Sequence, residues 1–254
     1  MTNRRSFLVW VGLAAGIYGL RAVPWDRYFG SLPEFRPLVG LEPFRTLDLD
    51  GATSTPSNIL IGIDAPDPDA VARRNRADAV RANLCRALFG SIPDPAVIPI
   101  AYFSEFRCPY CRVLEKELAT VLETNPGSVR LVQHELPIFG PPSEYAARAS
   151  VAAARQGLQQ ELRHRLMRSP LVPDPALISR LATEVGLNAD RLLSDMVDPS
   201  IQAELDQTRA LADVFGFVGT PGLVIGRTVL NGAVKAETIN RILAAERKEP
   251  PLNC

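Results

Sequence analysis

Val97-Ile98-Pro99-Ile100-Ala101-Tyr102-Phe103 is an unbroken apolar run, and four residues further on the chain reads Cys108-Pro109-Tyr110-Cys111 and passes into helical spacing. A short apolar run of this kind reads as a buried strand. Two cysteines three residues apart on the first turn of the next helix lie about one turn from each other, which can bring their Cα atoms to the roughly 5.5 Å a disulfide requires. Cys108 would sit where unpaired backbone N–H groups and the positive end of the helix dipole face outward, and both favour a thiolate. Cys108 is therefore the candidate nucleophile. Cys111, one turn in and more enclosed, is the candidate resolving thiol. Pro109 is tolerated because the first helical turn has no N–H partner to lose.

Two other uses of a Cys-x-x-Cys pair compete with redox chemistry. A zinc site needs two more ligands at similar short spacing, and the remaining candidates, Cys85, Cys254, His134 and His164, are scattered singly. An inert disulfide would close so small a loop that it constrains the unfolded chain little. Thiol redox chemistry with no metal and no organic cofactor is the preferred reading, and a metal-binding protein stays open as a rival. His134, late in an expected strand, and His164, among arginines in Leu162-Arg163-His164-Arg165, read as structural or surface residues.

The chain opens with Arg4-Arg5-Ser6, followed by fourteen uncharged residues from Phe7 to Leu20 and then Arg21. That is a basic region followed by an apolar stretch of signal-peptide length. It is shorter than the ~20 apolar residues of a typical membrane span, but reaches Val23 if Arg21 snorkels to the head groups. Leu20-Arg21-Ala22 offers no small-x-small cleavage site, so residues 7–23 read as an uncleaved anchor in preference to a cleaved signal. The Arg-Arg-Ser-Phe-Leu start also fits a twin-arginine signal, though an ordinary positive-inside pair is the simpler account. The body of the chain is thus expected in the periplasm or another extracytoplasmic space, tethered to the inner membrane by residues 7–23.

Disulfides persist in such a compartment. If Cys108 pairs locally with Cys111, Cys85 and Cys254 are left as a candidate structural disulfide fastening the tail Glu249-Pro250-Pro251-Leu252-Asn253-Cys254 to the N-terminal region. The alternative is that Cys85, within Leu84-Cys85-Arg86-Ala87-Leu88-Phe89, is a small buried hydrophobe. With 28 basic and 28 acidic residues the net charge is zero, and nothing clusters into a basic face, which argues against nucleic acid as a partner.

Residues 24–95 form an N-terminal extension in which Pro, Gly and Asp punctuate short apolar runs. Asn58-Ile59-Leu60-Ile61-Gly62-Ile63 reads as a short strand, and Val71, Ala77, Val80, Leu84 and Leu88 recur at helical spacing up to Gly90. After a linker at 90–95 the pattern clears. Strands are expected over 97–103 and 129–135, with a helix over 109–123 between them. A helical block follows: Ser143 as cap of a helix reaching Gly157, Asp174-Pro175 opening one that stops at Gly186, Asn188 capping the next, and Pro199 starting another that ends near Gly216. Then come a strand after Gly219-Thr220-Pro221, a second at Thr228-Val229-Leu230 ending in Asn231-Gly232, and a helix over 235–245.

That order, with Cys108-Pro109-Tyr110-Cys111 opening the first helix and Gly219-Thr220-Pro221 before the third strand, resembles the DsbA-like family of exported thiol:disulfide oxidoreductases. The supporting stretches are Phe103-Ser104-Glu105-Phe106-Arg107-Cys108, Leu136-Pro137-Ile138-Phe139-Gly140 with Ser143, Ala146 and Ala147, and Gly219 to Gly226, and the resemblance covers residues 97–245. It implies an α/β thioredoxin fold with an inserted helical subdomain over about 143–216, within a domain spanning 96–254. It implies that Pro221 is cis and lies beside the active cysteines, with the backbone of Thr220 pairing with a substrate peptide and Pro109 and Tyr110 in the same contact surface. The implied partners are cysteine-containing exported proteins, together with a membrane or soluble redox partner that resets the active disulfide.

Two positions depart from the family pattern. Relatives often carry a buried acidic residue six positions before the nucleophile, where this chain has Tyr102, and Glu105 is expected to lie on a surface turn as a solvated charge. Strong oxidants of the family have histidine at the position of Tyr110, so a reductase or isomerase that dimerises through residues 24–95 is the first rival reading. A non-catalytic peptide-binding thioredoxin domain is the second.

Overall fold

The computed structural model describes residues 32–49, 51–56, 70–91, 94–170 and 172–252. The chain divides into Met1–Pro33 and Glu34–Cys254, and the elements below belong to the second unit. The anchor expected over 7–23, the strand expected at Asn58–Ile63, and Cys254 lie outside the described residues.

Among the described residues six strands make one sheet: β1 (Arg36–Pro37), β2 (Arg45–Thr46), β3 (Ile98–Ser104), β4 (Val129–Glu135), β5 (Gly222–Ile225) and β6 (Thr228–Asn231). Their order across the sheet is β1-β2-β6-β5-β3-β4. β3 runs parallel to β4, with Ile98 opposite Val129 and Ser104 opposite Glu135, and antiparallel to β5, with Tyr102 opposite Leu223. The continuous apolar composition of β3 suits this central place, since a strand covered on both faces has no solvent side to alternate with. Only its first residue escapes full burial.

Between β3 and β4 runs α3 (Pro109–Thr124), which buries Cys111, Leu114, Leu118 and Val121 on one face, at the three- and four-residue spacing of a helix packed on a sheet. Among the described residues between β4 and β5 lie five α-helices, α4 (Pro141–Ala153), α5 (Gln159–Arg168), α6 (Pro175–Glu184), α7 (Ala189–Asp195) and α8 (Pro199–Phe215), with a single 3-10 turn at Ala154–Gln156 after the first. Asp174, Asn188 and Asp198 cap the last three by accepting from Leu177 N, Arg191 N and Ser200 N at 2.7, 2.9 and 2.8 Å. Each cap satisfies a backbone donor the helix leaves unpaired. Ser143 is not a cap: α4 starts at Pro141 behind Gly140, so Ser143 lies inside its first turn, buried. The sheet closes through the β5–β6 hairpin into α9 (Ala236–Glu246), whose first amide, Ala236 N, donates to Glu117 Oε2 at 2.7 Å. This is an α/β thioredoxin fold with a helical insertion.

The described part of the extension shares this sheet and core. β2 pairs parallel with β6, Arg45 opposite Thr228. Two helices, α1 (Ala70–Ala82) and α2 (Leu84–Phe89), place Val80, Leu88 and Phe89 in one buried cluster with Phe44, Phe103, Leu211, Phe215 and Val224. The carboxylate of buried Glu246 joins three elements, receiving Arg45 Nη2 at 2.9 Å, Arg227 Nε at 3.1 Å and Thr228 Oγ1 at 2.6 Å. A carboxylate this enclosed is held by paired charge and hydrogen bonds together.

Candidate active site

β3 ends at Ser104, and the turn Glu105-Phe106-Arg107 delivers Cys108 to the N-cap of α3. There the Cys108 Sγ accepts the Cys111 backbone N–H at 3.1 Å. Pro109 at the first helical position removes one N–H that would otherwise compete for a partner. Cys108 and Cys111 are both free thiols, and both are wholly buried. Pro109 is exposed beside them and Tyr110 is 39% exposed, so the surface of the pair is the Pro-Tyr dipeptide rather than either sulfur.

The second motif meets the first. The Thr220–Pro221 peptide bond is cis. The carbonyl oxygen of Thr220 lies 3.4 Å from Cys108 Sγ. Hydrogen bonding from the Cys111 thiol is the largest influence lowering the Cys108 pKa from its ordinary 9; burial opposes it, the side chains of Thr220 and Ser54 and the Cys111 amide add to it, and the result is about 6. Cys111 goes the other way, pushed far up by burial and then by its bond to the Cys108 sulfur. One thiolate and one thiol sit three residues apart, which is the division of labour that nucleophilic sulfur chemistry needs.

Behind the pair lies a buried polar cluster. Tyr102, wholly buried on β3, donates its hydroxyl to the Cys111 carbonyl at 3.0 Å, and burial raises its own pKa well above the usual phenol value. The guanidinium carbon of Arg163, on α5, lies 5.4 Å from the Tyr102 ring centroid. Arg163 is itself buried, donating Nε to Glu135 at 2.9 Å and Nη2 to Ser104 Oγ, and pairing through Nη1 with Glu115 of α3. It joins the insertion to β3, β4 and α3 at once.

Glu105 corrects one expectation. It is buried, 1% exposed, rather than a solvated charge on a surface turn. One carboxyl oxygen accepts Arg107 N at 2.9 Å while the other has no hydrogen-bond partner, and burial raises the pKa against the pull of Ser143 and the Arg107 amide. Ser143 of α4 lies close enough to act on the Glu105 carboxyl, so the insertion faces this turn. His134 is buried, its Nε2 2.8 Å from the Leu88 carbonyl and its ring 4.7 Å from that of Phe103. His164 is exposed beside Arg168. Cys85 is half-buried and disulfide-bonded.

Sequence reasoning missed Ser54 and Arg163. Ser54 lay in a segment with no periodicity. Arg163 carried a signal: it falls on the apolar face of α5 with Leu162, Leu166 and Met167, a place where a charge needs a buried partner.

The family model of the DSBA-like thioredoxin domain matches residues 99–244. The chain belongs to the DSBA-like thioredoxin domain family. Among solved structures, a thioredoxin-like oxidoreductase from Silicibacter pomeroyi is 32% identical, superimposes with a TM-score of 0.61, and is matched over 98% of its length and 65% of this chain. The thiol-disulfide exchange protein alpha-DsbA2 of Wolbachia pipientis shares the fold at 16% identity, with a TM-score of 0.59 over 69% of this chain and 98% of that one. The catalytic domain of Proteus mirabilis ScsC does so at 24% identity, with a TM-score of 0.57 over 68% of this chain and 99% of that one. A Na(+)/H(+) antiporter NhaA of Herminiimonas arsenicoxydans is 27% identical over 163 residues, 61% of this chain and 25% of the antiporter. This DSBA-like chain thus spans about a quarter of the length of the antiporters it matches. The enzyme class that accompanies the family and its structural neighbours is thiol:disulfide oxidoreductase.

Proposed function

We propose that the protein is an exported thiol:disulfide oxidoreductase that exchanges disulfides with cysteines of other exported proteins through Cys108 and Cys111. The observation that carries this reading is the Cys108 sulfur held at the helix N-cap, with a pKa brought down to about 6, against the backbone of Thr220. Export rests on the basic and apolar residues of the first 23 positions.

In the oxidising direction a substrate thiolate attacks Cys108 Sγ of the Cys108–Cys111 disulfide. The bond between the two active cysteines breaks, a mixed disulfide forms, and Cys111 leaves and takes up a proton, since burial favours its thiol. A second substrate thiolate then attacks the substrate sulfur of the mixed disulfide. The Cys108–substrate bond breaks, Cys108 departs as the thiolate its surroundings stabilise, and the substrate has lost two electrons that the pair has gained. Stabilising that thiolate stabilises the reduced pair and so makes the disulfide the better oxidant. A redox partner of the same compartment must then reoxidise Cys108 and Cys111. Thr220, Pro221, Pro109 and Tyr110 form the substrate-contacting surface, and Cys254 is the partner of Cys85 in a structural disulfide.

Cys111→Ala removes the resolving thiol, so partners attached to Cys108 should accumulate as mixed disulfides released by dithiothreitol, and Cys108→Ala should abolish them. A Cys111→Ala variant that captures no more than the Cys108→Ala variant overturns the proposal.

A further inference from the structure

The Cys108 sulfur is wholly buried, yet disulfide exchange requires an incoming sulfur to reach bonding distance, about 2.05 Å, in line with it. Paired to Thr220, whose carbonyl lies 3.4 Å from that sulfur, is a piece of the N-terminal extension. Residues 51–56 cross the site as a single extended strap: Ser54 and Thr220 form an antiparallel bridge in which Ser54 N donates to Thr220 O at 2.7 Å and Thr220 N donates to Ser54 O at 2.9 Å. A second bridge joins Ala52 to Ala233, with Ala233 N donating to Ala52 O at 3.0 Å. The fit is close: a Cβ on Gly219 would meet Ser54 O at 2.5 Å, so glycine is required where the strap passes. Ser54 is also among the groups that lower the Cys108 pKa. These few strap bonds are weaker ties than the helix, hairpin and sheet that hold Cys108, Cys111 and Thr220.

We propose that residues 51–56 are an intramolecular stand-in for the substrate backbone, and that Cys108 reacts with extended, cysteine-bearing polypeptides able to take Ser54's place on Thr220 in preference to small thiols. This deepens the reading of Cys108 as the exchanging thiol and rests on it. Thr220 has one N–H to give, and Ser54 holds it together with the carbonyl beside the sulfur. A peptide that pairs with those two groups replaces both bonds as it displaces the strap, and brings its own sulfur beside Cys108. A small thiol has nothing to offer in exchange and waits on spontaneous opening.

The test uses the reduced full chain at pH 8, with iodoacetamide as the small probe. Breaking the bridge with Ser54→Pro, which removes the donor N–H, should speed alkylation of Cys108 about tenfold, the effect of losing about one backbone hydrogen bond from the closed state. An unchanged rate overturns the proposal. In the unaltered protein the protection of the Ser54 amide against hydrogen exchange should match the slowing of Cys108 alkylation relative to a free thiolate, because one opening exposes both. A Cys108 that alkylates at the free-thiolate rate while the Ser54 amide stays protected overturns it even where Ser54→Pro does not fold. In a mixed disulfide between Cys111→Ala and a cysteine-bearing peptide, the Ser54 amide should lose its protection while that of Thr220 is retained. Failure of that adduct to form counts against the exchange reading itself, whereas both alkylation measurements judge the strap alone.

Discussion

At the scale of single residues, the chemistry turns on the contrast between Cys108 and Cys111. With the Cys108 pKa at about 6 and that of Cys111 far above the ordinary thiol value, the pair presents one thiolate across the neutral range. The alkylation rate of the reduced protein, measured against pH, should therefore rise through a midpoint near 6 and carry its label on Cys108. A midpoint near the roughly 8.5 of a free cysteine would contradict the geometry. The same shift has a consequence for stability. Because the folded pKa lies below the unfolded one, the thiolate adds stability that is complete above about pH 9 and is lost as the pH falls through about 6. Denaturant unfolding of the reduced protein and of Cys108→Ala should then show a gap in the wild type's favour that widens from pH 6 to pH 9. The two sulfurs, the helix start and the proline turn were legible in the sequence because each depends on local spacing. The burial of Glu105 was not, since the insertion that faces the turn through Ser143 of α4 comes about forty positions on in the chain.

At the scale of elements, helix boundaries in the insertion were readable wherever a cap marked them. Asp174, Asn188 and Asp198 with Pro199 announce helix starts chemically, and Gly186 and Gly216, with φ of 88° and 70°, announce stops that residues with a Cβ adopt poorly. α5 has no capping side-chain hydrogen bond, which is why it was not separable from its neighbours in the sequence. It nevertheless carries Arg163, whose pairs with Glu135 and Glu115 tie the insertion to the sheet and to the helix bearing the active cysteines. Removing one partner of a buried ion pair strands the other without solvent. Arg163→Ala should therefore cost about 3–5 kcal/mol in denaturant unfolding. A loss below about 1 kcal/mol, the range of exposed pairs, would show that the cluster does not bind the insertion to the sheet.

At the scale of the whole molecule, the extension is the part the sequence left least legible, and the reason is physical. β1 and β2 are two residues each, too short for periodicity to register, and they hold their place through Arg45–Glu246 and the pairing of β2 with β6, across some two hundred residues of chain. What the extension contributes is a wider sheet, a set of core side chains from α1 and α2, and the strap paired with Thr220. The disulfide at Cys85 fits the same picture. Peptide mapping without reductant should join Cys85 to Cys254, and replacing both with alanine should lower stability by about 2–5 kcal/mol, since the bridge closes a long loop. The measurement that bears most directly on the account is a single exchange between the oxidised protein and a reduced peptide carrying two cysteines, followed by mass spectrometry after acid quench. The account predicts that the peptide becomes two hydrogens lighter as Cys108 and Cys111 become free thiols, through an adduct located on Cys108, and that Cys108→Ala does neither. A peptide oxidised equally by Cys108→Ala, or an adduct found first on Cys111, would contradict it.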